Sequence, residues 1–312
     1  MTTLEVPARA ARRPLFNRLR ELWANPWGKP RFLVLFTVLY LLWSIVPILI
    51  AIRFSFNEGR SRSTAQGWSL RWYTEDPDLS VLHDPDLSAA LLQSLRLAAI
   101  AVLVTVPLGV ALAIGLTRWR GRGAGTSRAV SLATLVTPEI VMGTALLLVF
   151  VHLLTFVQLG TVAQAIGHIT FSLVFVLIIV RGRLLAIGPE YEEAARDLGA
   201  SALQAVRLAL LPMLVPAIVA SGIIVFAISM DDFVITQFLS SGTNTDTVPV
   251  RIYSQGRTAP TPALNALAAL TLAITLGIAL VGFLLWKAIR AARGQTGSAV
   301  EEFATLKEDP VR

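Results

Sequence analysis

The chain of 312 residues is 54% hydrophobic and only 15% charged, with a formal net charge of +7 and no cysteine. Soluble domains carry about 25% charged residues, so this balance points to a protein dissolved in lipid. It argues against a nucleic-acid partner, because the arginines fall between apolar runs rather than on one basic face. The missing cysteines exclude disulfides, thiolate chemistry and Cys-based metal sites, and His83, His152 and His168 lack the i, i+4 spacing of a helical metal pair.

In chain order, residues 1–31 form an Arg-rich arm. The apolar run that follows is too long for a signal-peptide core, and no small-residue cleavage site follows it, so it is predicted to stay as an anchor. Six runs of roughly 20 residues match the ~30 Å hydrocarbon core. They lie near 32–52, 92–116, 130–154, 162–180, 211–236 and 264–286. The expectation is an all-α integral membrane protein of six transmembrane helices, multi-pass in the plasma (cell inner) membrane. Its parts are a basic cytoplasmic arm over 1–31, a six-span domain over 32–290 and a cytoplasmic tail over 291–312.

Lys and Arg collect on the cytoplasmic side of short loops. The arm, the gaps 117–129 and 181–210, and the residues from Lys287 onward hold twenty of them, against six in the alternate gaps. Both termini are therefore predicted to be cytoplasmic. The longest external gap, 53–91, carries six acids, and Pro77 and Pro85 exclude a single long helix there. A lid, a docking surface and a passive connector all fit it.

The gap 181–210 is long for a cytoplasmic connection and strongly patterned. In "GPEYEEAARDLGASALQAVRLALLP", Pro189 suits a first helical turn, and Glu190, Glu192 and Glu193 complement the helix dipole. Gly199 is the natural left-handed stop, and Ser201 with Gln204 spells a capping box that starts a second helix. Two short helices are thus predicted to meet at a glycine bend. Ala194, Ala195, Leu198, Leu203 and Val206 give them an apolar face that nothing in the loop can bury. Either intrachain packing or another protein covers it.

This stretch resembles the E-A-A-x-x-x-G-x9-I-x-L-P loop of permease subunits in binding-protein-dependent ABC importers. Glu193, Ala194, Ala195, Gly199, Leu211 and Pro212 fall on the motif, with Ala209 where isoleucine is usual. "TPEIVMGTALLLVF", "HITFSLVFVLIIVRGRL", "ISMDDFVITQFLSSG" and "LNALAALTL" extend the likeness over about 30–290, toward the PotC-type spermidine/putrescine permeases. The resemblance implies a MetI-like permease fold with the loop 189–212 as its ATPase-coupling element. It further implies a cytoplasmic ABC ATPase dimer, a second permease subunit of PotB type and an extracellular or periplasmic solute-binding protein as partners. ATP and magnesium would sit on the ATPase, with no cofactor, metal or catalytic residue in this chain. The absence of a G-x-x-x-x-G-K-[ST] stretch agrees. The solute is expected to be a polyamine; iron, thiamine and phosphonate are carried by related permeases. A secondary transporter, the rival class, would not need the bent loop.

Three acids fall inside apolar runs: Glu139, Asp231 and Asp232. Such groups are costly in lipid and tend to face a cavity or a partner. On straight helices rising 1.5 Å per residue, Glu139 lies about 13 Å into its span and Asp231 about 30 Å along its own, near the outer boundary. No basic residue shares their spans, so together they are expected to line a path for a cationic solute. The competing expectations are an interspan hydrogen bond for Glu139 and simple hydration for one of the aspartates.

Overall fold

A computed structural model describes residues 31–61, 64–119, 121–258 and 261–292. The basic arm, except Arg31, and the tail beyond Ala292 lie outside the described residues. Those described are helical or irregular, with no strand among them. The chain divides into two compact units, Met1–Ala51 and Ile52–Arg312. The first contributes most of helix α1 (Arg31–Ser55), apolar around its whole circumference as lipid immersion demands, with Pro47 inside it.

The second unit is built on three long helices: α2 (Pro85–Arg118), α5 (Thr161–Ile187) and α8 (Leu211–Asp231). They share one apolar core, in which Ala101, Val110 and Leu116 meet Val176, Val180, Leu184, Leu210 and Leu214. Gly109 allows the close approach of α2 to α5, since a Cβ there would lie 2.6 Å from Val176. Gly282, on α11 (Pro262–Ala292), does the same against Ile223 of α8, whereas Gly277 has nothing near it. The start of α2 follows from sequence: Asp84 accepts hydrogen bonds from the N–H groups of Asp86 and Leu87, and Pro85 fills the first helical position.

Among the described residues five helices are long and apolar enough to cross a membrane, or six if a bent pair counts as one span. The bend corrects the straight third span over 130–154. Helix α3 (Ala124–Val136) ends where Pro138 forces Thr137 into extended backbone (φ −70°, ψ 125°), and α4 (Glu139–Leu148) restarts at 106° to it. The 181–210 gap is also shorter than expected. Helix α5 runs on to Ile187, and the helix of the fifth span already starts at Ala202.

The external segment is a folded cap. The Trp72 indole donates to the Asn57 carbonyl at 2.6 Å and is fully buried, with Val81, Leu87, Val248, Leu264 and Leu267 around it. Val248 opens α10 (Val248–Thr258). The Asn57 side chain donates to the carbonyls of Gly59, Ser61 and Thr64 and accepts from the N–H of Gln66, closing the loop on itself. A passive connector would have no such core.

Candidate functional site

At the cytoplasmic end, α6 (Glu190–Asp197) is followed by a complete helix stop. The N–H of Ala200 donates to the carbonyl of Ala195 at 3.1 Å, and that of Gly199 to Arg196 at 2.9 Å. This is the paired closure that a left-handed residue makes possible, and Gly199 supplies it with φ +91°. Ser201 then accepts from the N–H of Gln204 while the Gln204 side chain accepts from the N–H of Ser201. That reciprocal cap starts α7 (Ala202–Gln204).

The second short helix of the sequence reading is not separate. It continues through a widened π-turn, Ala205–Leu210, directly into α8. Pro212 explains the widening: it lacks an N–H, and its ring would collide with the carbonyl four residues back in a regular helix. Leu211 packs against the α2–α5–α8 core, so the motif's last two residues anchor the elbow while its first four point it.

The elbow is bare. No residue of α6 is buried, Leu198 is 91% exposed and Leu203 76%. Glu193 and Ala194 are exposed, Ala195 partly so. Glu193, Arg196, Asp197, Gly199 and Gln204 line a shallow polar groove in the inside of the bend.

The intramembrane acids come together, but they divide by role. Asp232 is buried, and its Oδ1 accepts the N–H groups of Ile235 at 3.0 Å and Thr236 at 3.3 Å. It thereby ends α8 and starts α9 (Val234–Leu239), which breaks the expected 211–236 span. Its Oδ2 lies 3.6 Å from Nε2 of buried His168. The expectation that all three acids lack a basic partner therefore fails at Asp232, because the partner stands on α5. His168 also pairs with Ser229 at 2.7 Å and Thr236 at 3.0 Å. Behind it, Gln93 donates to Gln164 and Thr161, and Gln164 donates to the carbonyls of Thr236 and Thr245.

Asp231 is exposed, and half-buried Glu139 lies within electrostatic range of both aspartates. The straight-span depths kept Glu139 and Asp231 apart. The break at Pro138 brings them into one cluster, with Glu139 as the first residue of α4. Sequence reasoning missed His168 and Arg118; the second is taken up below. A histidine within an otherwise apolar run was the available signal for the first. Among the described residues no group of His, Asp and Glu has the arrangement of a metal site.

Residues 105–291 match the family described as binding-protein-dependent transport system inner membrane component, and the chain belongs to that family. It is thus an inner-membrane transport subunit, and the ATPase and binding protein of such a system are separate chains. It is 34% identical over 276 residues to the putrescine transport system permease protein PotI of Escherichia coli (strain K12), covering 87% of this chain and 93% of that one. It is 33% identical to the spermidine/putrescine transport system permease protein PotC of the same strain, over 81% of this chain and 92% of that one. Among solved structures, a bacterial ABC transporter that imports the acidic polysaccharide alginate superposes with a TM-score of 0.67 at 16% identity, over 88% of this chain and 99% of that one. The alginate transporter in complex with its pentasaccharide-bound periplasmic protein gives a TM-score of 0.65 at 17% identity, over 91% and 99%. These two likenesses bear on fold alone.

Proposed function

We propose that this chain is a pore-forming subunit of an ABC importer that moves a polyamine-class cation inward. A cytoplasmic ATPase dimer, which holds the ATP and magnesium, grips the elbow formed by Glu193, Ala194, Ala195 and Gly199. Leu211 and Pro212 tie that elbow to the spans. A second permease subunit completes the pore, and an external binding protein delivers the solute.

The observation that carries this reading is the bare elbow itself, rigidly capped on both sides of Gly199 and continuous with α8. A push on such an element reaches the core as a rigid-body movement. Two supports favour a polyamine. Relatives at 33–34% identity are named for putrescine and spermidine transport. Glu139 and Asp231, half-buried and exposed, are carboxylates that would line the solute path, and Asp232 caps the start of α9 beside them. Such groups offset the desolvation of an ammonium without enclosing it.

The test is uptake of putrescine and spermidine by the complete transporter in proteoliposomes, with ATP hydrolysis followed in parallel. Uptake of neither, with iron, thiamine or a phosphonate accumulating instead, ends the polyamine reading alone. Uptake that ignores ATP ends the importer reading.

A further inference from the structure

Helix α6 is joined to the bundle through two bends. Gly199 lies after it, and Gly188, at φ +75°, lies before it. The bend at Gly199 is closed by hydrogen bonds on both sides, so the compliant joint between α6 and the bundle is the one at Gly188. One side chain bridges the first bend. Arg118, in the last turn of α2, donates from its Nη2 to the carbonyl of Gly188 at 3.0 Å, the exposed end of α5. Its Nε donates to the Glu192 carboxylate at 3.1 Å, and its Nη2 pairs with the same oxygen. Both side chains are mostly shielded, at 29% and 16% exposure, so water weakens the pair less than a surface salt bridge. One guanidinium thus holds α6, the end of α5 and the end of α2; α5 and α6 are neighbours in the chain, but Arg118 on α2 lies 70 residues before Gly188.

We propose that Arg118 is a coupling residue, splicing the first turn of α6 onto α2 so that motion of the elbow enters the α2–α5–α8 core directly. Without the splice, the Gly188 bend absorbs the stroke. This rests on the reading of the elbow as the ATPase contact. The pair acts inside this chain, one residue away from Glu193, and contributes no contact to the ATPase itself.

The experiment uses the complete transporter in proteoliposomes and reads three quantities: putrescine uptake, ATP hydrolysis and retention of the ATPase. Arg118→Gln and Glu192→Gln are expected to keep the ATPase bound and hydrolysing, while uptake per ATP falls about tenfold, the equivalent of one lost charge-assisted hydrogen bond. Arg118→Lys, which keeps the charge and a donor, is expected to recover most of the ratio. Because the chain has no native cysteine, Arg118→Cys with Glu192→Cys can be joined by a short flexible bismaleimide. Cross-linking is expected to restore the uptake per ATP that the unlinked double variant loses. The proposal is overturned if uptake and hydrolysis fall in proportion, if neither changes, or if the cross-link blocks transport, since the splice would then have to open. Failure of the wild-type complex to couple uptake to ATP at all would instead strike the elbow reading.

Discussion

The elbow around Gly199 and the polar lattice around His168 are both unusual for a chain this apolar, yet they are opposites. The elbow is exposed, and the bonds that shape its bend at Gly199 close within five residues. The lattice is sealed, and each of its bonds joins elements far apart in the chain. The contrast teaches how a transport subunit divides its polar groups. Those at the exposed bend are built locally, so that the bend keeps its shape without help from another helix. Those that hold the outer ends of the helices together are shared between helices, so that no helix can leave without leaving buried groups unsatisfied.

Substitutions can separate the two regions. The largest effect is expected for Leu198→Asp, which puts a charge at the most exposed apolar point of the elbow. ATPase co-purification should fall about 30-fold, the scale of one interface hot spot, with no change in thermal midpoint. Next comes Gln164→Leu, which strips the donors from two carbonyls and an acceptor from Gln93. It should cost about 1–3 kcal/mol by thermal unfolding in detergent while ATPase binding stays intact. A smaller effect, about 1 kcal/mol, is expected for Asp232→Ala through loss of the α9 cap. If the lattice variants abolished ATPase binding at unchanged stability, the division between the regions would be wrong.

The smallest effect belongs to the external cap. Burial pushes the Asp76 carboxyl up, but the N–H of Leu79, the Arg71 guanidinium and the N–H of Asp78 outweigh it and hold the group below the usual carboxylate range. A depressed folded value means that the unfolded chain binds the proton first. The contribution is therefore full above the ordinary aspartate value of about 4, and fades as pH falls through the lower folded one. Asp76→Asn should flatten that acid limb of the thermal midpoint and leave the midpoint's slope near pH 7 unchanged.

What could be read from sequence follows the same division. Gly199 and the pair Ser201 and Gln204 act over three to five residues, and the structure forms the bend and the cap at those positions. Most of the spans were legible because the bilayer fixes their length and polarity, although the third is bent at Pro138 and the fifth ends at Asp231. The lattice was not, because its bonds join residues 61 to 81 apart, as His168 to Ser229 and Gln164 to Thr245, and no local pattern encodes such a meeting. Asp232 looked unpartnered for that reason. At Pro138 a local signal was present, since proline disfavours helix at the residue before it, but the span was taken as straight, and the position of Glu139 changed with the break.

The π-turn before Pro212 has a geometric consequence. A turn of this kind lodges one surplus residue, and one residue corresponds to about 100° of rotation around a helix axis. The compass bearing on which Leu198 and Leu203 leave the bundle is therefore set by the residue count between Ala205 and Leu210. Removing Ala209 would take one residue out of that count and swing the elbow about 100° aside, with its own side chains still in place.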